Sequence, residues 1–217
     1  MTLLEAVMTV AELAGDEAMK FFRTDVDVDT KSDGSPVTIA DKNAEKLARS
    51  WIEEHFPDDG IVGEEFGETK PGTKRKWLLD PIDGTKSFVH GVPTWGTMVA
   101  VVEGDVVLAG AIYVAAQDEM VAAERGRGCF WNGQPARVSE TSDLAKATVL
   151  TTEVKAVTPG MARLAQASRV ARTWGDCYGY VLVATGRAEA MFDPILSPWD
   201  VAALIPIVEE AGGVFTD

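Results

Sequence analysis

The chain has 217 residues, with 34 acids against 20 bases and a net charge of −14. Its 46% hydrophobic and 25% charged residues suit one large globular domain or two small ones with a sizeable core. The acidic balance argues against a non-specific binder of nucleic acid or of anionic membranes, although a bound cation could still invert the local field for an anionic substrate. Cys129 and Cys177 are far apart and form no CxxC pair, so neither a zinc ribbon nor a redox motif is supported, and a reducing cytoplasm is expected. Glu5, Glu12, Asp16 and Glu17 exclude a signal peptide at the N-terminus. His55 and His90 are the only histidines, so the material for histidine-based hydrolysis is scarce, while abundant carboxylates suit a hard cation such as magnesium.

Apolar residues from Leu3 to Phe21 recur at helical spacing and predict a helix over 2–22. Asp33-Gly34-Ser35-Pro36 reads as a turn. Thr38 opens a second helix, with Asp41 completing a capping box, and Pro57 to Gly60 closes it. Short strands are expected at Ile61-Val62 and Trp77–Leu79. A meander follows over 94–102, 106–115 and 119–124, and the break at Glu103-Gly104-Asp105 makes its first two strands a hairpin and no membrane span. Asn132-Gly133 marks another hairpin, and Arg125 to Gly128 a turn. Beyond about residue 140 the texture becomes α/β: strands at 147–151 and 188–192, helices at 159–168, 177–186 and 199–211, and a strand beginning at Val214. The expected division is residues 1–142, α+β with an antiparallel sheet, and residues 143–217, α/β, tightly packed together. Trp77, Trp95, Trp131 and Trp199 are expected in the core or an interface, His90 at the surface, and both cysteines as buried thiols.

The chemistry concentrates in Trp77-Leu78-Leu79-Asp80-Pro81-Ile82-Asp83-Gly84-Thr85. An apolar strand delivers two carboxylates three residues apart, and a Gly-Thr pair opens a helix beside them. Adjacent buried carboxylates repel unless a cation or proton lies between them, so the pair predicts a metal site, and the helix start predicts a bound phosphate. Glu64-Glu65 and Asp200 sit at comparable element ends. One acid alone reads as a cap or a solvated residue. For Asp41 capping and function are both open, whereas Glu65 reads as solvated.

The Trp77–Thr85 segment resembles the first signature of the inositol monophosphatase superfamily of metal-dependent phosphatases. Ser197-Pro198-Trp199-Asp200-Val201-Ala202-Ala203 resembles its second, and Gly63-Glu64-Glu65 its upstream metal-ligand element. Lys31 and Asp41 also match positions of that family. The resemblance implies a layered αβαβα sandwich of the inositol monophosphatase/fructose-1,6-bisphosphatase type. It implies two or three magnesium ions. Glu64, Asp80 and the Ile82 carbonyl would hold the first, and Asp80, Asp83 and Asp200 the second. Asp41 and Glu64 would support a looser third. Catalysis would involve Thr85, Asp41 and Glu64, with Thr85 and Asp41 orienting a water for in-line attack, and the Gly84 and Thr85 amides would bind phosphate. It also implies a strand and helical segment beyond Asp217, a homodimer, and a small phosphorylated metabolite as the partner.

For the substrate, Arg172–Tyr180 occupies the superfamily's substrate loop. Asp176 and Cys177 there replace the small residues of inositol phosphatases. Gly175-Asp176-Cys177-Tyr178-Gly179-Tyr180 and Thr85–Pro93 resemble the histidinol-phosphate phosphatase branch. That implies a cationic substrate paired by Asp176 and Asp193, with Cys177, Asp83, Gly84, Thr85 and Asp200 also at the ester. Asp176 has a second, compatible reading as the N-cap of the 177–186 helix. Inositol-1-monophosphatase, a broad sugar-phosphate phosphatase and a non-catalytic binding protein on the same scaffold are the alternatives.

Overall fold

The computed structural model describes residues 1–25, 27–30 and 36–216. Lys31 and residues 33–35 of the expected turn lie outside the described residues. In chain order the elements are α1 (Leu3–Met19), β1 (Val28–Thr30), β2 (Pro36–Thr38), α2 (Ile39–His55), β3 (Gly60–Gly63), β4 (Gly67–Thr69), β5 (Arg75–Asp83) and α3 (Thr85–Val89). There follow β6 (Gly96–Glu103), β7 (Val106–Val114), β8 (Glu119–Glu124), β9 (Gly128–Trp131), β10 (Gln134–Ala136), β11 (Thr148–Thr151), α4 (Pro159–Ala167), β12 (Val170–Arg172), α5 (Asp176–Ala184), β13 (Ala190–Phe192) and α6 (Pro198–Glu210).

One sheet has eight strands in the order β10-β9-β8-β7-β6-β5-β3-β4. All its pairs are antiparallel except β3 with β5. A second sheet, β12-β11-β13, is parallel throughout. The layers follow from strand alternation. Trp77, Leu79, Val99, Val101, Ala109 and Ala111 face α1 and α2. Their neighbours Leu78, Met98, Ala100 and Ile112 face α5 and α6. Leu182 of α5 then meets Leu150 of the parallel sheet, and α4 packs against β12. The sheets are therefore covered as a strongly apolar strand set requires, and the layered α+β architecture expected from the resemblance is present. Helix α6 is apolar almost all round because it lies between elements on both sides.

Several expectations need correction. The strand expected to end at Leu79 continues through both acids to Asp83. Strands β1, β2, β4 and β12 went unread; each is only three residues long and is held by a neighbouring strand. Residues 213–216 form no strand. No described strand pairs with them, and Phe215 instead packs its ring 6.1 Å from that of Tyr180. The Arg125–Gly128 turn offers its Gly126 and Gly128 amides to the Glu210 carboxylate, at 2.7 and 2.9 Å. Trp77 and Trp95 are in the core and Trp199 packs against it, but Trp131 is exposed, its ring covered by Arg187 at 4.5 Å; His90 is exposed, and both cysteines are buried free thiols.

Candidate functional site

Strand β5 is the axis of the site. Its parallel pairing with β3 sets Gly63 beside Leu79, so the next residues, Glu64 and Asp80, emerge side by side. The Glu64 amide donates to the Leu79 carbonyl at 3.1 Å, and the Glu64 and Asp80 carboxyls lie close enough to interact. On the other edge, Asp80 faces Met98 but Asp83 faces Gly96: three steps on β5 answer two on β6. In an unbroken strand, residues three apart point to opposite faces. The bulge inserts one extra residue and re-aims them to one side, with Pro81 lying within it and lacking a donor to lose. Asp80 is further fixed by the Ile82 amide, 3.0 Å from its Oδ1.

Asp200 arrives from the far layer. Pro198 opens α6, and the Asp200 Oδ2 accepts from the Ser197 amide at 2.7 Å, which pins the carboxylate to the helix's first turn. Carboxylate oxygens of Asp80, Asp83 and Asp200 all lie within 4.8 Å of one another. Burial pushes the Asp80 carboxyl well above the usual range, and the charges of Glu64, Asp83 and Asp200 push it further. Asp83 is driven well up by its surroundings and by Asp176 and Asp200, opposed by the Cys177 amide that donates to its Oδ2. Burial raises Asp200 as well. Three acids that resist ionising together, with oxygen donors only, fit a hard divalent cation, which would supply the missing positive charge.

Asp41 is buried in the first turn of α2. Its Oδ2 accepts from the Thr38 amide and hydroxyl at 2.8 and 2.7 Å. Burial raises its pKa, the Thr38 bonds oppose that, and the Glu64 charge adds to it. The capping reading and proximity to the acidic cluster thus coexist. Thr85 starts α3, where its hydroxyl donates to the Ile82 carbonyl at 3.0 Å rather than to Asp41. Gly84 caps that helix at φ 82°, and a Cβ there would come within 3.0 Å of Asp176 Oδ2. Only glycine gives both the left-handed turn and the approach of Asp176.

Asp176 is not the cap of α5. Gly175 holds that position, and Asp176 is the first helical residue, at φ 50°. The Ser87 hydroxyl beside its carboxylate favours the charged form. The Asp176 amide donates to Thr152 Oγ1 at 2.8 Å, and Thr152 in turn donates to Asp193 Oδ2 at 2.7 Å. Burial lifts Asp176 to about 6, helped by the charge of Asp193 and opposed by Lys86. Burial raises Asp193 too, against the Thr152 bond. Cys177 lies between these acids and Asp83, its thiol buried and its pKa pushed far up. A cavity of about 740 Å³ adjoins this region, lined by Tyr180, Phe192, Asp193, Leu196, Val201 and Phe215 among others. Its mostly apolar wall does not suit a phosphate dianion, and of the acids above it touches only Asp193.

The sequence reading missed Thr152, Ser87 and Lys86. Thr152 follows the C-terminal end of an apolar parallel strand, the location where α/β sheets place ligand groups, and that signal was available.

The chain matches the Inositol monophosphatase family over residues 1–217. It is 48% identical to a histidinol-phosphatase of Chlorobaculum parvum, covering 99% of this chain and 85% of that protein. It is 38% identical to a histidinol-phosphatase of Mycobacterium tuberculosis, covering 91% and 80%. The solved structure of an IMPase from Thermotoga maritima superposes with a TM-score of 0.92 at 33% identity, covering 100% of this chain and 86% of that one. The chain belongs to the inositol monophosphatase family, a family of phosphoric monoester hydrolases.

Proposed function

We propose that this protein is a magnesium-dependent histidinol-phosphatase, hydrolysing L-histidinol phosphate to L-histidinol and phosphate in histidine biosynthesis. The observation that carries the reading is the second acidic pair. Asp176 and Asp193, joined through Thr152, adjoin the Asp80–Asp83–Asp200 cluster. A neutral polyol offers two further carboxylates only hydroxyl donors, whereas an ammonium and an imidazole add the stronger charge-assisted bonds. The names of the relatives from Chlorobaculum parvum and Mycobacterium tuberculosis support the same choice.

In this reading Glu64, Asp80, Asp83, Asp200 and the Ile82 carbonyl would hold two or three magnesium ions. Bound magnesium supplies the charge that admits a phosphate dianion and makes a coordinated water more acidic. Thr85, its hydroxyl proton committed to Ile82, keeps lone pairs for a water, and Asp41, fixed by Thr38, is the acid that orients it. The first amides of α3, at Gly84 and Thr85, face the phosphate oxygens. Water adds to phosphorus in line as the ester P–O bond breaks, and the ester oxygen leaves as the protonated alcohol. The protein is further proposed to be a cytoplasmic homodimer acting on a small metabolite. No helix among the described residues is long and apolar enough to cross a membrane.

The test is phosphate release from histidinol phosphate and from inositol 1-phosphate, with and without magnesium. Magnesium-dependent release with kcat/KM at least roughly tenfold higher for histidinol phosphate is expected. Asp200→Asn should abolish nearly all of it, and a variant with wild-type turnover would remove the assignment. Equal kcat/KM on the two esters would favour the broad-specificity reading, and no release from any ester the binding-protein reading.

A further inference from the structure

We infer that Glu45, which belongs to none of the motifs above, is a positioning residue for the metal cluster: it fixes the loop that carries Glu64. The inference rests on the proposed role of Glu64 as a metal ligand.

Glu45 lies in α2 and is 0% exposed. Its Oε2 accepts from the Glu65 amide at 2.8 Å, and its Oε1 from the Phe66 amide at 3.2 Å. Arg49, one helical turn on, donates from Nε to Glu45 Oε1 at 2.7 Å, and its Nη2, 2.7 Å from the same oxygen, also donates to the Gly67 carbonyl at 2.5 Å. Gly63 packs directly on this pair: a Cβ placed on it would come within 2.0 Å of Glu45 Oε1 and 2.8 Å of an Arg49 nitrogen. The turn from Gly63 to Gly67, linking β3 to β4, is therefore held against the Glu45–Arg49 pair at Gly63, Glu65, Phe66 and Gly67. Glu64 itself is tied on its other flank by the bond from its amide to Leu79. Its backbone has β5 on one side and the Glu45 clamp one residue downstream.

A buried charge is costly unless fully paired, and an apolar side chain would fill the same space at less cost. An apolar side chain cannot accept from two successive amides. The function of the carboxylate at this position is thus to set the path of the backbone on which Glu64 is mounted. Supporting groups of this kind fix the direction of a ligating carboxylate, and losing them weakens metal affinity.

Calorimetric titration of magnesium into the metal-free full chain tests this, with wild type and Glu45→Gln compared. Glutamine keeps the shape but turns one acceptor into a donor facing N–H groups. The magnesium dissociation constant should weaken by about 10- to 100-fold. The magnesium concentration for half-maximal phosphate release should rise in step, with kcat recovering at saturation. Glu210→Gln is the control. Its carboxylate also accepts two backbone amides, but from the turn before β9, so that variant should lose stability and keep its magnesium affinity. If Glu45→Gln does not fold, Arg49→Lys gives the same readout by removing the fork that reaches Gly67. Wild-type affinity in Glu45→Gln, or in Arg49→Lys where that stands in for it, would overturn the inference, as would an equal loss in Glu210→Gln. Wild type that binds no magnesium would instead overturn the proposed function.

Discussion

Asp80 and Asp83 could not share a site in a regular strand. A single extra residue in β5 brings them together, and each is then driven toward its neutral form. The acids around them differ in how they are held. Asp200 is bonded by a helix cap and Asp193 by Thr152, while Asp176 lies against Gly84 and beside Ser87. Asp176 also sits in a backbone conformation that costs on the order of 1 kcal/mol or more for a residue other than glycine. Its carboxylate contacts the Gly84 side of the cluster, so its loss should be felt by the substrate more than by the fold. Asp176→Ala is expected to lower kcat/KM for histidinol phosphate by roughly 10- to 100-fold, while an aryl phosphate loses far less. Steady-state kinetics on both esters checks this, and equal losses would show that the residue does not read the cation.

At the scale of the element, α2 explains much of the site. Its inner face carries Ala40, Ala44, Ala48 and Ile52, with Asp41, Glu45 and Arg49 in a parallel stripe four residues apart. The apolar stripe packs against α1 and the sheet, and the charged stripe faces the loop that carries Glu64. The pattern was visible in the sequence, yet buried charges at helical spacing look the same as a solvated face until a neighbour is known. Thr38 anchors the start of this helix and is itself buried. Thr38→Ala should lower unfolding free energy by about 1–2 kcal/mol in denaturant titration, and Thr38→Ser should restore most of it. An alanine variant as stable as wild type would mean that Asp41 finds another donor.

At the scale of the whole molecule, the metal-free protein is under electrostatic load. Its net charge is −14, and several of its acids have pKa values raised in the folded state. Such groups hold more protons folded than unfolded, so their contribution is fully present below the ordinary aspartate value and is lost as pH rises through the folded one. For Asp176 that window runs from 3.8 to about 6, and the raised Asp80 and Asp83 carboxyls act in the same direction. Metal-free Asp176→Asn should therefore be more stable than wild type at pH 7, with the gap closing as the pH falls from 6 to 4. Magnesium at about 100 times its dissociation constant should raise Tm by about 5–10 °C at pH 7.5, and by much less at pH 5, where protons compete for the same oxygens. Thermal melts at the two pH values read this directly, and an equal shift at both would place the ion away from the acidic cluster.

The sequence by itself determined the helices α1, α2 and α6, the meander of β6 to β8, and the identity of the acids. Periodicity, caps and turn residues act over a few neighbours and are written locally. It also carried the resemblance, because two signatures and a Gly-Glu-Glu element are local strings in a set order. What only the tertiary structure decided is which acids meet. The parallel register that sets Glu64 beside Asp80, the bulge that turns Asp83, the approach of Asp200 from another layer and the Thr152 link between Asp176 and Asp193 all join residues distant in the chain or depend on a neighbouring strand. Such contacts are set by packing across layers, and no window of neighbouring residues contains them. The role of Asp176 shows the difference most plainly: locally it reads as a helix cap, and only the fold turns its carboxylate toward Ser87 and Gly84.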